Sequence, residues 1–210
     1  MDANNKQTYL RFLHGFPSNV AVDLYLGDRK IASGLTFGGF TPYTAVAPGR
    51  YILVMYPAGE KNAPLLKNDV VVPSGEIYTV IIGDRQGLPA LAPVEDPRFH
   101  LPEDRVALRF GNMAPGMEPV NALLRLGEGE FEDLFPDVEY GQVTEYAIIE
   151  PGRYTMDVQL TDGEKRVLWV PNINLRQGRY YSIYMIGQGG EGQTEFPLIA
   201  VIPLDGNSYL

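Results

Sequence analysis

Apolar and polar positions along this chain alternate over short stretches, and Gly, Pro, Asn or Asp interrupts them about every ten residues. Alternation is clearest at Tyr51-Ile52-Leu53-Val54-Met55-Tyr56 and at Tyr154-Thr155-Met156-Asp157-Val158-Gln159-Leu160, where every second side chain can face a core. Helical periodicity is nearly absent. The pattern predicts strands over residues 8–14, 20–26, 30–35, 43–47, 50–57, 69–72, 77–83 and 90–94. A second series is predicted over 106–112, 121–126, 144–149, 153–160, 166–170, 180–186 and 197–202. Short strands punctuated in this way define an all-β protein of antiparallel β-sandwich type.

The two series belong to one unit written twice. Pro48-Gly49-Arg50-Tyr51 recurs as Pro151-Gly152-Arg153-Tyr154, Arg11-Phe12 as Arg109-Phe110, Pro17 as Pro115, and Gly75 with Tyr78 as Gly178 with Tyr181. This repetition predicts two tandem sandwiches of seven to eight strands each, at residues 7–95 and 105–206, joined by a Pro-stiffened linker over 96–104. Pro-Gly-Arg-Tyr reads as a hairpin device, with Pro presetting φ and Gly supplying φ > 0 before the strand that begins at Tyr. Pro73-Ser74-Gly75-Glu76 and Arg176-Gln177-Gly178-Arg179 read as the same device before the next strand. The copies differ most where a compact Gly27-Asp28-Arg29-Lys30 turn is replaced by an acidic segment over 127–139, expected as a loop.

Composition narrows the partners. The formal net charge of -9 opposes binding to a phosphate backbone or an anionic membrane, so neither nucleic acid nor membrane insertion is expected. No cysteine is present, which removes disulfides, thiolate metal sites and cysteine nucleophiles. The polar start, Met1-Asp2-Ala3-Asn4-Asn5-Lys6-Gln7, lacks the pattern of a signal peptide, leaving cytoplasmic and spore-associated locations open.

Arg11-Phe12-Leu13-His14-Gly15-Phe16-Pro17, then Val20-Ala21-Val22-Asp23-Leu24-Tyr25, Phe37-Gly38 and Pro48-Gly49-Arg50-Tyr51 resemble a bacterial family known as domain of unknown function 4397. That family's pattern runs roughly Arg-Val-x-His-Ala-Ser-Pro-Asp, Val-Asp-Val-Tyr, Phe-Gly and Pro-Ala-Gly-x-Tyr; here Ser18-Asn19 follows Pro17 in place of the acidic residue. The resemblance covers residues 8–95 well and 105–203 less closely. It implies an immunoglobulin-like or transthyretin-like sandwich and a cell-surface or extracellular setting, and it brings no established activity.

His14 and Asp23 could form the His–carboxylate kernel of a general-base site. The repeat places Asn112 opposite His14 and Asn121 opposite Asp23, which keeps hydrogen bonding and loses proton transfer. All four are therefore read as structural clamps, and no catalytic residue is assigned. With two histidines, His14 and His100, and no close His-x-His spacing, a transition-metal site is not expected. Glu130, Glu132 and Asp133 offer hard oxygen ligands for Ca²⁺ but lack the order of a dedicated loop. No cofactor motif occurs; Gly187-Gln188-Gly189-Gly190-Glu191-Gly192 follows a strand and opens no helix. Aromatic side chains are plentiful, and Phe16, Phe40 and Tyr43, together with the lone Trp169, are the candidates for ligand contact. The expected function is a non-enzymatic binding or structural module of a bacterial surface, envelope or spore layer, with an unknown protein or glycan as partner. The alternatives are a hydrolase using His14 and Asp23, or a homo-oligomer assembling through edge strands.

Overall fold

The computed structural model describes residues 6–163, 165–189 and 195–206. Met1 to Asn5, and Gly190, Glu191 and Gly192 of the glycine-rich run, lie outside them. The protein is all-β, without an α-helix among the described residues, and divides into two compact units, Met1–Pro97 and Arg98–Leu210. Consequently no described helix is long and apolar enough to cross a membrane.

The first unit contains β1 (Thr8–His14), β2 (Val22–Leu26), β3 (Arg29–Leu35), β4 (Thr44–Val46), β5 (Gly49–Pro57), β6 (Leu66–Val72), β7 (Ile77–Arg85) and β8 (Leu88–Glu95). The second contains β9 (Val106–Asn112), β10 (Val120–Leu126), β11 (Glu132–Val138), β12 (Ala147–Ile149), β13 (Gly152–Leu160), β14 (Arg166–Leu175), β15 (Arg179–Ile186) and β16 (Ile199–Val201). Four sheets of four strands result, in the orders β4-β1-β7-β8 and β3-β2-β5-β6, then β12-β9-β15-β16 and β11-β10-β13-β14. The second pair repeats the strand order of the first. In each unit the inward side chains of the two sheets meet: Leu10, Phe12, Val80 and Ile82 against Val22, Leu24, Leu53 and Met55, and likewise Leu108, Phe110, Ile183 and Met185 against Val120, Ala122, Met156 and Val158.

Four expectations change. One pairing in each unit is parallel, β1 with β7 and β9 with β15, although the remaining ladders are antiparallel. The chain reaches β7 from β6 in the other sheet, so no tight hairpin forces the directions to oppose. The acidic segment is not a loop: β11 fills its second half and pairs with β10. Sequence pattern hides this strand because it is an edge, where charges and Pro136 are tolerated on the unpaired side.

Pro-Gly-Arg-Tyr is not a hairpin either. It carries the chain from β4 in one sheet to β5 in the other, and its tyrosine reaches back to the corner it has just turned. Tyr51 Oη donates to the Ala47 carbonyl at 2.9 Å and Tyr154 Oη to the Glu150 carbonyl at 2.8 Å. Gly152 shows no positive φ; a Cβ there would sit 2.4 Å from Leu126 Cδ1, so close approach is what selects glycine. Finally, the segment expected as a linker is divided between the units. The Asp96 amide bonds the Ile77 carbonyl at 2.8 Å, whereas Leu101 is buried with Ala107 and Tyr180.

Candidate functional site

Beneath the outward face of the β1–β7 ladder lies a polar cluster that sequence reading missed as a unit. Arg11 Nε donates to Thr79 Oγ1 at 2.8 Å, and Thr79 Oγ1 donates to Asp96 Oδ2 at 2.9 Å. Tyr43 lays its ring 4.6 Å from the Arg11 guanidinium, and its hydroxyl donates to Asp96. The second unit rebuilds the arrangement with Arg109, Ser182, Asp205 and Tyr146. There Arg109 Nε bonds Ser182 Oγ at 2.7 Å, Ser182 Oγ bonds Asp205 Oδ2 at 2.9 Å, and the Arg109 guanidinium sits 4.6 Å from the Tyr146 ring. Arg11, Thr79, Asp96, Arg109, Ser182 and Asp205 are all buried. Such a group holds its charges by mutual hydrogen bonding and offers no open position for a substrate. The repeat did carry the signal, since Tyr43 and Tyr146, like Arg11 and Arg109, occupy matching positions.

Asp23 is buried at the edge of the β2–β3 ladder. It accepts from Lys30 Nζ at 2.7 Å, from the Gly34 amide at 2.8 Å and from the Gly59 amide at 3.3 Å. The Lys30 hydrogen bond, with help from Gly34, lowers the Asp23 pKa to about 2. Gly34 has φ of 62° and is the bulge residue of β3. Asn121 accepts from the Asp137 amide at 2.8 Å, and Asp137, with φ of 52°, is the corresponding bulge of β11. Thus Asp23 and Asn121 each hold a left-handed bulge in the neighbouring edge strand. Asn112 donates from Nδ2 to the Val138 carbonyl at 3.1 Å. His14 differs from its expected clamp role: its ring is 1% exposed, and neither nitrogen has a hydrogen-bond partner. Burial pushes its pKa below the usual histidine value, with nearby backbone carbonyls pulling weakly the other way.

The aromatic candidates separate. Phe16 packs on the first core and Tyr43 belongs to the buried cluster, which leaves Phe40 exposed on its own loop. Trp169, 40% exposed, has company instead. On the outer face of β11-β10-β13-β14 its ring lies 5.7 Å from that of Phe131. Arg166 covers Trp169 at 4.3 Å and Arg125 covers Phe131 at 4.7 Å, which makes a stripe of aromatic and cationic groups across the sheet. Arg166 is oriented by Asp157, with Nε to Oδ1 at 2.7 Å and Nη2 to Oδ2 at 2.6 Å. Burial opposes ionisation of Asp157, and the Arg166 and Gln159 hydrogen bonds outweigh it, so its pKa falls below the ordinary value. The Ca²⁺ candidates do not converge. Glu132 pairs with Leu124, whose side chain is in the core, and Asp133 pairs with Leu123 on the outer row, so the two carboxylates take opposite faces of β11.

An apolar cleft of about 410 Å³ opens between the sheets of the first unit, lined by Leu10, Phe12, Leu53, Val70, Tyr78 and Leu91 among others. At the matching place in the second unit, Tyr181 is buried and its hydroxyl accepts from the Arg176 amide at 3.2 Å, linking the β15 sheet to the end of β14. The residue matching Arg176 is Pro73, which has no amide hydrogen to give Tyr78.

Four sheets of four strands with buried polar clusters define an all-β protein of β-sandwich type, and an aromatic and cationic stripe lies on one outer sheet face. The chain belongs to the family described as domain of unknown function (DUF4397), whose model matches residues 8–123, from β1 into β10. No curated protein matches it. Among solved structures it is similar to a candidate cell adhesion protein from Bacteroides uniformis, at 11% identity and TM-score 0.32 over 95% of this chain and 98% of that one. It is also similar to the family CBM26 module CBMbc of Eubacterium rectale Amy13K, solved with maltoheptaose, at 11% identity and TM-score 0.30 over 90% of this chain and 95% of that one. Likeness of this extent carries no functional argument.

Proposed function

We propose that the protein is a non-enzymatic binding module of a bacterial surface, envelope or spore layer, built from two copies of its family's domain, and that it binds glycan at the Trp169 stripe. The observation that carries the reading is exposed Trp169 against half-buried Phe131, with Arg125 and Arg166 beside them. Flat aromatic rings stack on sugar rings at small entropic cost, and adjacent guanidinium groups donate to hydroxyl or carboxylate oxygens. Support for a non-enzymatic role comes from the first unit. Asp23 is engaged by Lys30, Gly34 and Gly59, and His14 makes no hydrogen bond through its ring, so the two do not form a hydrogen-bonded acid–base pair. Placement at the cell surface is the expectation that family membership brings.

Because Trp169 is the only tryptophan, its fluorescence reports this site without labelling. Titration with a panel of neutral and uronic-acid oligosaccharides should shift the emission, and calorimetry should show binding weakened ~30-fold or more in Trp169→Ala, as for an aromatic anchor worth about 2 kcal/mol. Binding that ignores Trp169→Ala, or an emission that no glycan moves, would remove the assignment.

A further inference from the structure

Sheets of this size end in edge strands, which pair with other chains unless something prevents it. The four sheets present eight edges: β3, β4, β6, β8, β11, β12, β14 and β16. Three of them, β4, β12 and β16, are three residues long. β8 carries Pro89 and Pro93. Bulges interrupt β3, β11 and β14, and the last two also contain Pro136 and Pro171. β6 alone among the described edges has seven residues in unbroken register with its neighbour, with no proline within it and Val71 68% exposed.

We infer that β6 is the interface through which two copies of this chain join, as antiparallel strands related by a two-fold axis at Asn68. The backbone fixes which residues can bond outward. The Ile52 carbonyl accepts from the Gly27 amide at 2.8 Å and so faces β2, away from β6. Its cross-strand partner Asp69 therefore turns its own N–H and C=O to the free edge, as do Lys67 and Val71 in the same alternation. A two-fold axis at Asn68 sets Lys67 opposite Asp69 of the second copy and Asp69 opposite Lys67, all with outward-facing backbone groups. Leu66 then falls opposite Val70 on the inner face, beside the apolar cleft that Val70 lines. Leu66-Lys67-Asn68-Asp69-Val70 is thus self-complementary about its centre in both charge and apolarity. The neighbouring register, centred on Asp69, keeps the backbone pattern but opposes two like carboxylates, which cross-strand pairing disfavours.

Sedimentation equilibrium of the full chain, from micromolar to millimolar, tests this. The wild type should move to twice the chain mass. Asp69→Lys and Lys67→Asp, each exposed and each setting like charges opposite one another, should weaken association at least 10-fold. The double variant K67D/D69K restores opposite charges at both positions and should recover dimerisation. Far-UV circular dichroism and melting confirm that the variants remain folded. A wild type monomeric at millimolar concentration overturns the inference, and so does a dimer that either single substitution leaves unchanged or that the double variant fails to recover. Trp169 fluorescence reads the glycan site independently, so failure of one proposal is distinguishable from failure of the other.

Discussion

At the residue scale, His14 and Asp23 show how one polar position can be costly and another stabilising. His14 is enclosed without a partner, and its folded pKa lies below the unfolded value. The fold therefore favours the neutral ring: its stability is intact above about pH 6.5 and declines as pH falls through that value toward the folded pKa. His14→Asn, which installs the residue found at the matching position of the second unit, should flatten the fall in melting temperature between about pH 6.5 and 5 relative to wild type. Asp23 has the same sign at a lower pH, with its charged form the one the fold favours, since its pKa is lowered to about 2. Its contribution is present above the unfolded carboxylate value near 4 and disappears as pH drops toward 2. Asp23→Ala strands the Gly34 and Gly59 amides and should cost about 1–3 kcal/mol in urea unfolding, while Asp23→Asn should cost clearly less because it can still accept from Gly34, as Asn121 does from Asp137. The repeat made the His14/Asn112 and Asp23/Asn121 correspondence legible. It could not show that His14 bonds nothing, because that depends on atoms arriving from other strands.

At the element scale, the same strand order closes tightly in one unit and remains open in the other. Tyr181 joins two sheets through the Arg176 amide, whereas Pro73 denies Tyr78 that bond. Burial, and then the Glu95 and Glu76 carboxylates, raise the Tyr78 pKa, consistent with a hydroxyl that gains little where it is. Tyr181→Phe should therefore lose about 0.5–1.5 kcal/mol, and Tyr78→Phe should be close to neutral, as thermal melts of the two variants will show. The buried clusters behave as cross-ties between strands. Removing Asp205, which accepts from Ser182 and Tyr146 beside the Arg109 guanidinium, should cost about 3–5 kcal/mol, measured by denaturant unfolding. Strand positions with strong alternation, such as β5 and β13, were readable from sequence. β11 was not, because an edge strand needs only half the pairing and hides its few inward residues, Phe135 and Val138, among carboxylates.

At the scale of the whole molecule, each unit has its own core and its own buried cluster, so each should fold without the other. Residues 1–97 and 98–210, expressed separately, should each give a β-type circular dichroism spectrum and a cooperative melt; an unfolded fragment would show that the division is geometric only. Association through β6 would place two Trp169 stripes in one particle. Binding to a densely glycosylated surface would then be strengthened by avidity with no new contact, and charge reversal at Asp69 would remove that gain while leaving single-site affinity intact.

The sequence by itself determined the all-β fold class and the strands of strong alternation, such as β5 and β13. Alternation with period two, recurrent Gly and Pro, and matched motifs are local properties, and local properties survive without knowledge of what packs on what. Tertiary structure alone decided the rest: the parallel β1–β7 and β9–β15 pairs, the crossing role of Pro-Gly-Arg-Tyr, the gathering of Arg11, Thr79, Asp96 and Tyr43, and the meeting of Phe131 with Trp169. These depend on side chains as much as 85 positions apart in the chain, Arg11 to Asp96 (96 − 11), which only the crossing of strands between sheets can bring together.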